Sequence, residues 1–320
     1  MRPLRFLVLT DHGAHSDQNS LYALVRKLAT DPRCASVEVA SRSNPLNRDF
    51  FSGDGAQVHG LPANENFTFD SARDPLATTR TALDPPAAYD VIWLRLPHPV
   101  SETFFAALEA HSPSVPPLLV NNPQGIRETS TKAFLTAFPE WTPPTRLVAT
   151  EEEARDFAAR HPIVLKPLRA YGGQGILRLD TPDDAVGVDF AEPYLAMKFL
   201  RNVSAGDKRI LVVNGRILAA SLRIPPPGEW LCNVARGGTS VGAEVDDDER
   251  ALIAAISPEL LTRGICFAGI DTLLNDEGRR VLSEINTLSI GGFPQAEAQT
   301  GRPVVQEAID QLFAYCYDRI

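Results

Sequence analysis

The stretch that most constrains this 320-residue chain is 267–286, FAGIDTLLNDEGRRVLSEIN. Two apolar runs flank the turn-forming quartet Asn275-Asp276-Glu277-Gly278, which is the pattern of a β-hairpin. Three polar side chains, Asp271, Glu284 and Asn286, interrupt the apolar runs. Side chains alternate faces along a strand, so Glu284 and Asn286 point the same way. With Asn275 to Gly278 as a four-residue loop, Leu274 faces Arg279 and Asp271 faces Leu282. Asp271 then lies diagonal to Glu284 on one face. An all-oxygen cluster of this kind suits a hard cation such as Mg²⁺, which favours carboxylates together with nucleotide phosphates. A solvated strand face is the commoner origin of such a trio, so the reading depends on phosphate-binding residues elsewhere.

Upstream, Pro162 to Pro167 reads as a strand carrying one lysine, Lys166. The segment Arg169 to Gly175 follows, with Gly172, Gly173 and Gly175 among four residues, and then a second strand from Ile176 to Leu179. Such glycines let a backbone approach a polyphosphate closely and offer N–H groups to it. A lysine in an apolar strand needs an anionic partner, because a buried unpaired ammonium is costly. The loop is neither a Walker loop nor a dinucleotide fingerprint, since no Gly-Lys-Ser/Thr follows and no helix opens after it. A plain hairpin remains open on this loop alone.

The chain opens as a βαβ unit: a buried parallel strand from Leu4 to Thr10, a helix capped by Ser20 and running to about Ala29, and a strand from Val37 to Ala40. Ligands of such sheets bind at the C-terminal strand ends, which makes Asp11 and His12 candidate substrate contacts. Residues 41–88 lack periodicity and are read as irregular, with one helix near Asp70 to Leu83. Asp90 to Arg95 is a strand with Arg95 at its tip, where a substrate carboxylate is able to bind. Leu118 to Asn122 is the last strand of this region. A helix capped by Thr129 or Ser130 includes Lys132 and runs to about Phe138. Thr145 to Ala149 and a helix from Glu151 to Arg160 precede the Lys166 strand, and Tyr194 to Leu200 is another strand.

Lys208 to Ile224 reads as a hairpin about Gly215, which brings Arg209 and Arg223 together. Adjacent guanidinium groups repel unless an anion lies between them, which points to an anionic reaction centre, although two surface arginines with separate acidic partners are the commoner case. Asn233 to Gly238, with Asn233 and Arg236, is a further polar loop. Helices are expected from Asp246 to Leu261 and from Val304 to Tyr315. The net charge of −9 argues against a nucleic-acid partner, whose phosphates require a basic surface. No stretch approaches the roughly 20 apolar residues of a membrane span, and Phe6 to Thr10 is too short for a signal-peptide core. Cys34, Cys232, Cys266 and Cys316 are far apart, as expected of reduced thiols in a cytoplasmic protein.

The order of these parts resembles the ATP-grasp superfamily, and more closely the bacterial glutathione synthetase family, from about Tyr89 to the C-terminus. The motifs that carry the resemblance are Val120 to Arg127 (VNNPQGIR), Lys132, Leu165 to Leu168 (LKPL), Gly172-Gly173, Gly206 to Gly215 (GDKRILVVNG), Arg223 to Pro225 (RIP), Asn233 to Gly238 (NVARGG), Gly269 to Asp271 (GID) and Glu284 to Asn286 (EIN). The resemblance implies an α/β protein. An N-terminal doubly wound (pre-ATP-grasp) domain, 1–122, would bind substrate. A two-part ATP-grasp fold would follow, with a small lid domain at 123–200 and a catalytic domain at 201–320.

It also implies roles. Lys132 and Lys166 hold the phosphates of ATP beneath Gly172, Gly173 and Gly175, and the backbone at Lys198, Phe199 and Leu200 holds the adenine edge. Asp271, Glu284 and Asn286 hold two Mg²⁺ ions, with Mn²⁺ as the substitute. Arg209 and Arg223 stabilise the reaction centre, and Arg95, Asn233, Arg236, Ser289, Gly291 and Gly292 contact small-molecule substrates. The implied reaction, in a cytoplasmic homo-oligomer, joins γ-glutamylcysteine to glycine through an acyl phosphate. The chain departs from the family pattern at 96–99 and 287–293. A ligase of the same chemistry acting on another amino acid or dipeptide is therefore the alternative, and an ATP-binding sensor without turnover is the third reading.

Overall fold

A computed structural model describes residues 1–70, 75–83, 88–110, 117–170, 172–230 and 238–320. Its first sheet is built from β1 (Leu4–Thr10), β2 (Cys34–Ser41), β3 (Val58–Pro62), β4 (Ala82–Leu83), β5 (Val91–Arg95) and β6 (Leu118–Val120). The order is β4-β3-β2-β1-β5-β6. The four strands β2, β1, β5 and β6 are parallel, while β3 and β4 add antiparallel. β1 is apolar at nearly every position because both faces are covered. Leu7 and Leu9 pack with Phe50 and Phe51 of α2 (Arg48–Ser52) and Phe104 of α4 (Glu102–Ala110). Phe6 and Val8 pack on the opposite face with Leu21, Leu24 and Leu28 of α1 (Ser20–Ala29).

Region 41–88 departs from the irregular segment read in the sequence. In place of one helix near 70–83 it holds α2, α3 (Pro75–Thr78) and the two short strands β3 and β4. These elements are too short to give a readable period. The cap of α1 also shifts by one residue: Asn19 accepts the Leu21 amide. Ser20 instead turns its hydroxyl to residues 292 and 293, where it accepts both amides.

Asn122 caps α5 (Pro123–Thr129), a helix that sequence reading missed, so Thr129 ends a helix and does not begin one. Lys132 then sits in a 3₁₀ turn, Lys132–Ala137, capped by Thr131. The second sheet is antiparallel, in the order β7-β10-β8-β9, from β7 (Thr145–Val148), β8 (Ile163–Pro167), β9 (Leu177–Leu179) and β10 (Tyr194–Lys198). Helix α6 (Glu151–Ala158) covers one face, with Ala154 and Phe157 packing on Val148, Ile163 and Leu165.

The third sheet runs β13-β12-β11-β14-β15, from β11 (Asp207–Val213), β12 (Arg216–Ile224), β13 (Thr239–Ala243), β14 (Phe267–Leu274) and β15 (Arg280–Asn286). Leu252, Ile253 and Ile256 of α7 (Asp247–Thr262) pack on it. The last helices, α8 (Phe293–Thr300) and α9 (Val304–Tyr317), return to the first sheet. Phe313 meets Phe6 edge-on with centroids 5.5 Å apart, and Phe267 lies 5.0 Å from Trp93. Buried Asn121 joins the sheets: its amide donates to the carbonyls of Phe267 and Thr287, and its oxygen accepts the amides of Cys266 and Phe267. All of its polar capacity on these four bonds is spent within the core. Cys34, Cys266 and Cys316 are free thiols, and Cys232 lies outside the described residues. Among the described residues no helix is long and apolar enough to cross a membrane.

Candidate active site

The floor of the site is the face of the third sheet on which Arg209, Asp271 and Glu284 lie side by side. Arg209 is opposite Asp271 across β11 and β14, and Asp271 is opposite Glu284 across β14 and β15. The sequence register set Asp271 diagonal to Glu284, and two local features change that. The Asn275 side chain accepts the amides of Glu277 and Arg279, drawing Arg279 into the turn, so Leu274 pairs with Arg280. A bulge then follows between Asp271 and Thr272, and Ser283 is the extra residue. Its carbonyl and hydroxyl both accept from Lys166 Nζ at 3.3 Å. Ser283 is thus a site residue that alternation alone hides.

Between this floor and the second sheet lies a cavity of about 370 Å³. β8 brings Lys166 into it, β10 Met197, and the loop after β8 brings Gly172 and Gly173. Both glycines have positive φ, 65° and 74°, where a Cβ would strain the backbone. Gly175 shares that conformation but packs against Pro167 and does not line the cavity. Its apolar lining includes Val164, Ile176, Phe199, Trp230 and Leu273, with the Phe199 and Trp230 rings in edge contact 5.6 Å apart. Its charged and polar lining includes Lys132, Lys166, Lys198, Asp207, Arg209, Arg223, Asp271, Glu284 and Asn286. A lining of both kinds suits a ligand with a flat aromatic part and a polyanionic part.

The charges are arranged in a network. Arg209 holds Asp271 through two bonds of 2.7 and 2.6 Å. Arg223 holds Asp207 through bonds of 2.5 and 2.7 Å and reaches Asp271 at 2.9 Å. The anion expected between the two arginines is therefore the carboxylate of Asp271, which the sequence reading assigned to metal. Burial raises the Asp271 carboxyl, but the two guanidiniums more than offset it and hold it below the ordinary range. Asp207, a site residue missed in the sequence, is pushed up by burial and by the Asp271 charge. Lys132 Nζ is 3.3 Å from Glu284 Oε1 and also donates to the Ala170 carbonyl. Burial lowers the Lys166 ammonium to about 8, an effect that the Glu284 charge only partly opposes.

Lys198, Phe199 and Leu200 also line the cavity. The amides of Lys198 and Phe199, however, donate to Pro144 and Pro162, and Lys198 Nζ pairs with Asp276 at 2.8 Å. Those two amides are thus spent inside the second sheet and its loops, and the Lys198 side chain straps that sheet to the β14–β15 turn.

A second chamber, of about 260 Å³, adjoins the first and shares Lys132, Glu284 and Asn286 with it. Segments 97–98, 129–135 and 284–289 line it, including Ser289. The other expected substrate residues are placed differently. Arg95 is buried beneath the 287–293 loop, where Nη2 donates to the Ile290 carbonyl at 2.5 Å and Nε has no partner among the described residues. The reason is packing: the strand tip turns its guanidinium over the Trp93 ring, 5.5 Å from the centroid, and into the loop. The Gly292 amide is taken by Ser20, and neither Gly291 nor Gly292 lines either chamber. Asp11 binds Arg42, and His12 Nδ1 meets Ser41 Oγ at 2.5 Å; neither lines either chamber. Asn233 and Arg236 lie outside the described residues.

The model of the ATP-grasp domain of prokaryotic glutathione synthetases matches residues 131–301. A glutathione synthetase of Rhodopseudomonas palustris is 34% identical over 233 residues, 69% of this chain and 72% of that protein. One of Nitrosomonas europaea is 36% identical over 203 residues, 61% of this chain and 62% of that protein. Among solved structures, the D-cycloserine synthetase DcsG superposes with a TM-score of 0.65 at 16% identity, covering 98% of this chain and 99% of that one. At that identity the likeness concerns the fold.

Proposed function

We propose, on the premise that this chain belongs to the prokaryotic glutathione synthetase family of ATP-grasp proteins, a specific division of labour for its ATP-dependent C–N ligation. The observation that carries it is the convergence of Lys132, Lys166 and Glu284 on one cavity. Lys132 and Lys166 bind the phosphates of ATP, and Gly172 and Gly173 close over them. The apolar lining beside Phe199 and Trp230 takes the adenine.

Family membership carries dependence on a divalent metal. The donor set fits one, because Glu284 and Asn286 offer oxygens at the junction of the two chambers, with Asp271 beside them. We assign Mg²⁺ to Glu284 and Asn286, with Asp271 joining once its guanidinium contacts exchange. The metal, when bound, neutralises charge on the phosphates.

A carboxylate oxygen of the acid attacks the γ-phosphorus; an O–P bond forms and ADP leaves. The amine nitrogen then attacks the acyl carbon, C–N bond formation expels phosphate, and the amine loses a proton. Arg209 and Arg223 stabilise the oxyanion between those events once the phosphates draw them from their carboxylates. Closure of the glycine loop keeps water from the acyl phosphate. The names of the relatives make γ-glutamylcysteine and glycine the first pair to try. ADP release that requires ATP, acid and amine together is the test; ATP binding without turnover across a broad panel of acids and amines overturns the reading.

The Lys166 assignment has its own readout. In the free protein this ammonium titrates at about 8, and a bound triphosphate favours its charged form. At pH 7 Lys166 is charged before and after binding, so little proton uptake is expected from it. Near pH 9 it is mostly neutral beforehand, so ATP binding takes up a proton. Calorimetry in buffers of different ionisation enthalpy should find uptake rising from pH 7 to 9 and absent in Lys166→Met. Equal uptake in that variant would mean that another group faces the phosphates.

A further inference from the structure

We propose that Asp276, which lines neither chamber, is a positioning residue for the nucleotide: it fixes the connector 198–201 against the hairpin that carries Glu284 and Asn286. This rests on the ligase reading and deepens it. The second sheet is joined to the rest of the chain at two crossings, before β7 and after β10. The β14–β15 hairpin holds both. At the first, the Leu282 amide donates to the Trp141 carbonyl at 2.7 Å. At the second, the Arg201 amide donates to Asp276 Oδ1 at 2.8 Å, and Lys198 Nζ reaches Asp276 Oδ2 at 2.8 Å. The Asn202 side-chain amide donates to the Asn275 carbonyl at 2.7 Å, and Arg280 Nη1 to the Gly206 carbonyl at 3.0 Å.

The two oxygens of Asp276 grip residues 198 and 201, and the residues between them, Phe199 and Leu200, line the larger chamber. The Phe199 ring is held in turn. Arg178 of β9 lies over it, 3.9 Å from the centroid, and Trp230 meets it edge-on at 5.6 Å. A carboxylate that accepts from an amide and an ammonium makes stronger bonds than a neutral acceptor. The Asp276 side chain is 7% exposed, so salt screens these bonds little. The turn itself is already gathered by Asn275, whose side chain accepts the amides of Glu277 and Arg279, and this leaves Asp276 to the connector. Further along the same hairpin, Glu284 and Asn286 face the junction of the chambers. One hairpin therefore sets the aromatic wall and the residues assigned to the metal at a fixed separation. A nucleotide whose base and phosphates are held at once requires that.

Calorimetry on the full chain with Mg²⁺ and the non-hydrolysable nucleotide AMP-PNP tests this. Asp276→Ala is expected to raise the Kd about tenfold, since a hydrogen bond to a charged group is worth about one power of ten. The KM for ATP should rise alongside, with kcat at saturating ATP within about twofold of the parent's, the mark of lost binding and not of lost chemistry. A merely structural role would lower the calorimetric stoichiometry, as part of the protein unfolds, and leave the Kd where it was. That result, or an unchanged Kd at full stoichiometry, overturns the proposal. Should Asp276→Ala fail to fold, Asp276→Asn decides, because it keeps an oxygen for the Arg201 amide and drops the charge opposite Lys198. A Kd about threefold above the parent's, the size of a weakened ion pair, upholds the proposal, and an unchanged one ends it. Failure of the unaltered protein to bind AMP-PNP removes the ligase reading together with the proposal, whereas an unchanged Kd beside normal binding removes the proposal alone.

Discussion

Replacing Glu284 by glutamine is expected to leave the fold intact and to lower kcat by about a thousandfold at ordinary Mg²⁺. The change keeps size and shape and removes one negative charge at the junction of the two chambers. Metal-borne stabilisation of a phosphoryl transfer is worth several kcal/mol, and about 4 kcal/mol corresponds to three powers of ten in rate. The Glu284 side chain is 30% exposed but pairs with Lys132, which is 8% exposed, so stability should fall by about 1–2 kcal/mol while the fold stays intact. Raising Mg²⁺ should recover part of the loss, since a weakened site is refilled by mass action. Steady-state ADP release across a Mg²⁺ series, beside urea unfolding, checks all three points. Undiminished kcat in the variant would remove Glu284 from the metal site.

Asp271→Ala should act in the opposite way, through stability as much as turnover. Asp271 is 2% exposed and accepts from two guanidiniums at once. Removing it leaves Arg209 and Arg223 facing each other with only Asp207 between them in charge. Breaking a buried pair from one side costs about 3–5 kcal/mol. The lower end applies, because Arg209 and Arg223 keep some contact with the cavity. The urea midpoint should fall with an unchanged slope, and turnover should be lost. Adding Arg209→Gln should restore part of the stability and none of the activity. A single variant as stable as the parent would mean that the two arginines find other partners.

Much of this site was legible because its chemistry is written in unusual residues. A lysine inside Ile163–Pro167 and a carboxylate inside Phe267–Leu274 have no reason to be there as plain core. What stayed hidden depends on hydrogen bonds that have no sequence period. The Asn275 side chain gathers its turn and shifts the register by one, and the bulge at Ser283 shifts it by one more before Glu284. Arg95 reads as a tip residue open to a substrate carboxylate, yet the loop that buries it lies almost 200 positions further on. Asp207 passes for the polar start of a strand until Arg223 is placed across from it. The segment at 41–88 failed for a plainer reason: strands of two to five residues cannot establish an alternation.

The return of α9 to the first sheet bears on how the molecule is made. Phe6 and Val8 are made long before Leu312 and Phe313, which share the cluster that covers them. At about 5–20 residues per second, the opening strand waits roughly fifteen seconds to a minute for the last part of its cover. Until then that face of the nascent sheet is covered only in part, by α1, an invitation to holdases and to self-association. Slow translation should therefore harm yield more than it would for a chain whose halves close independently.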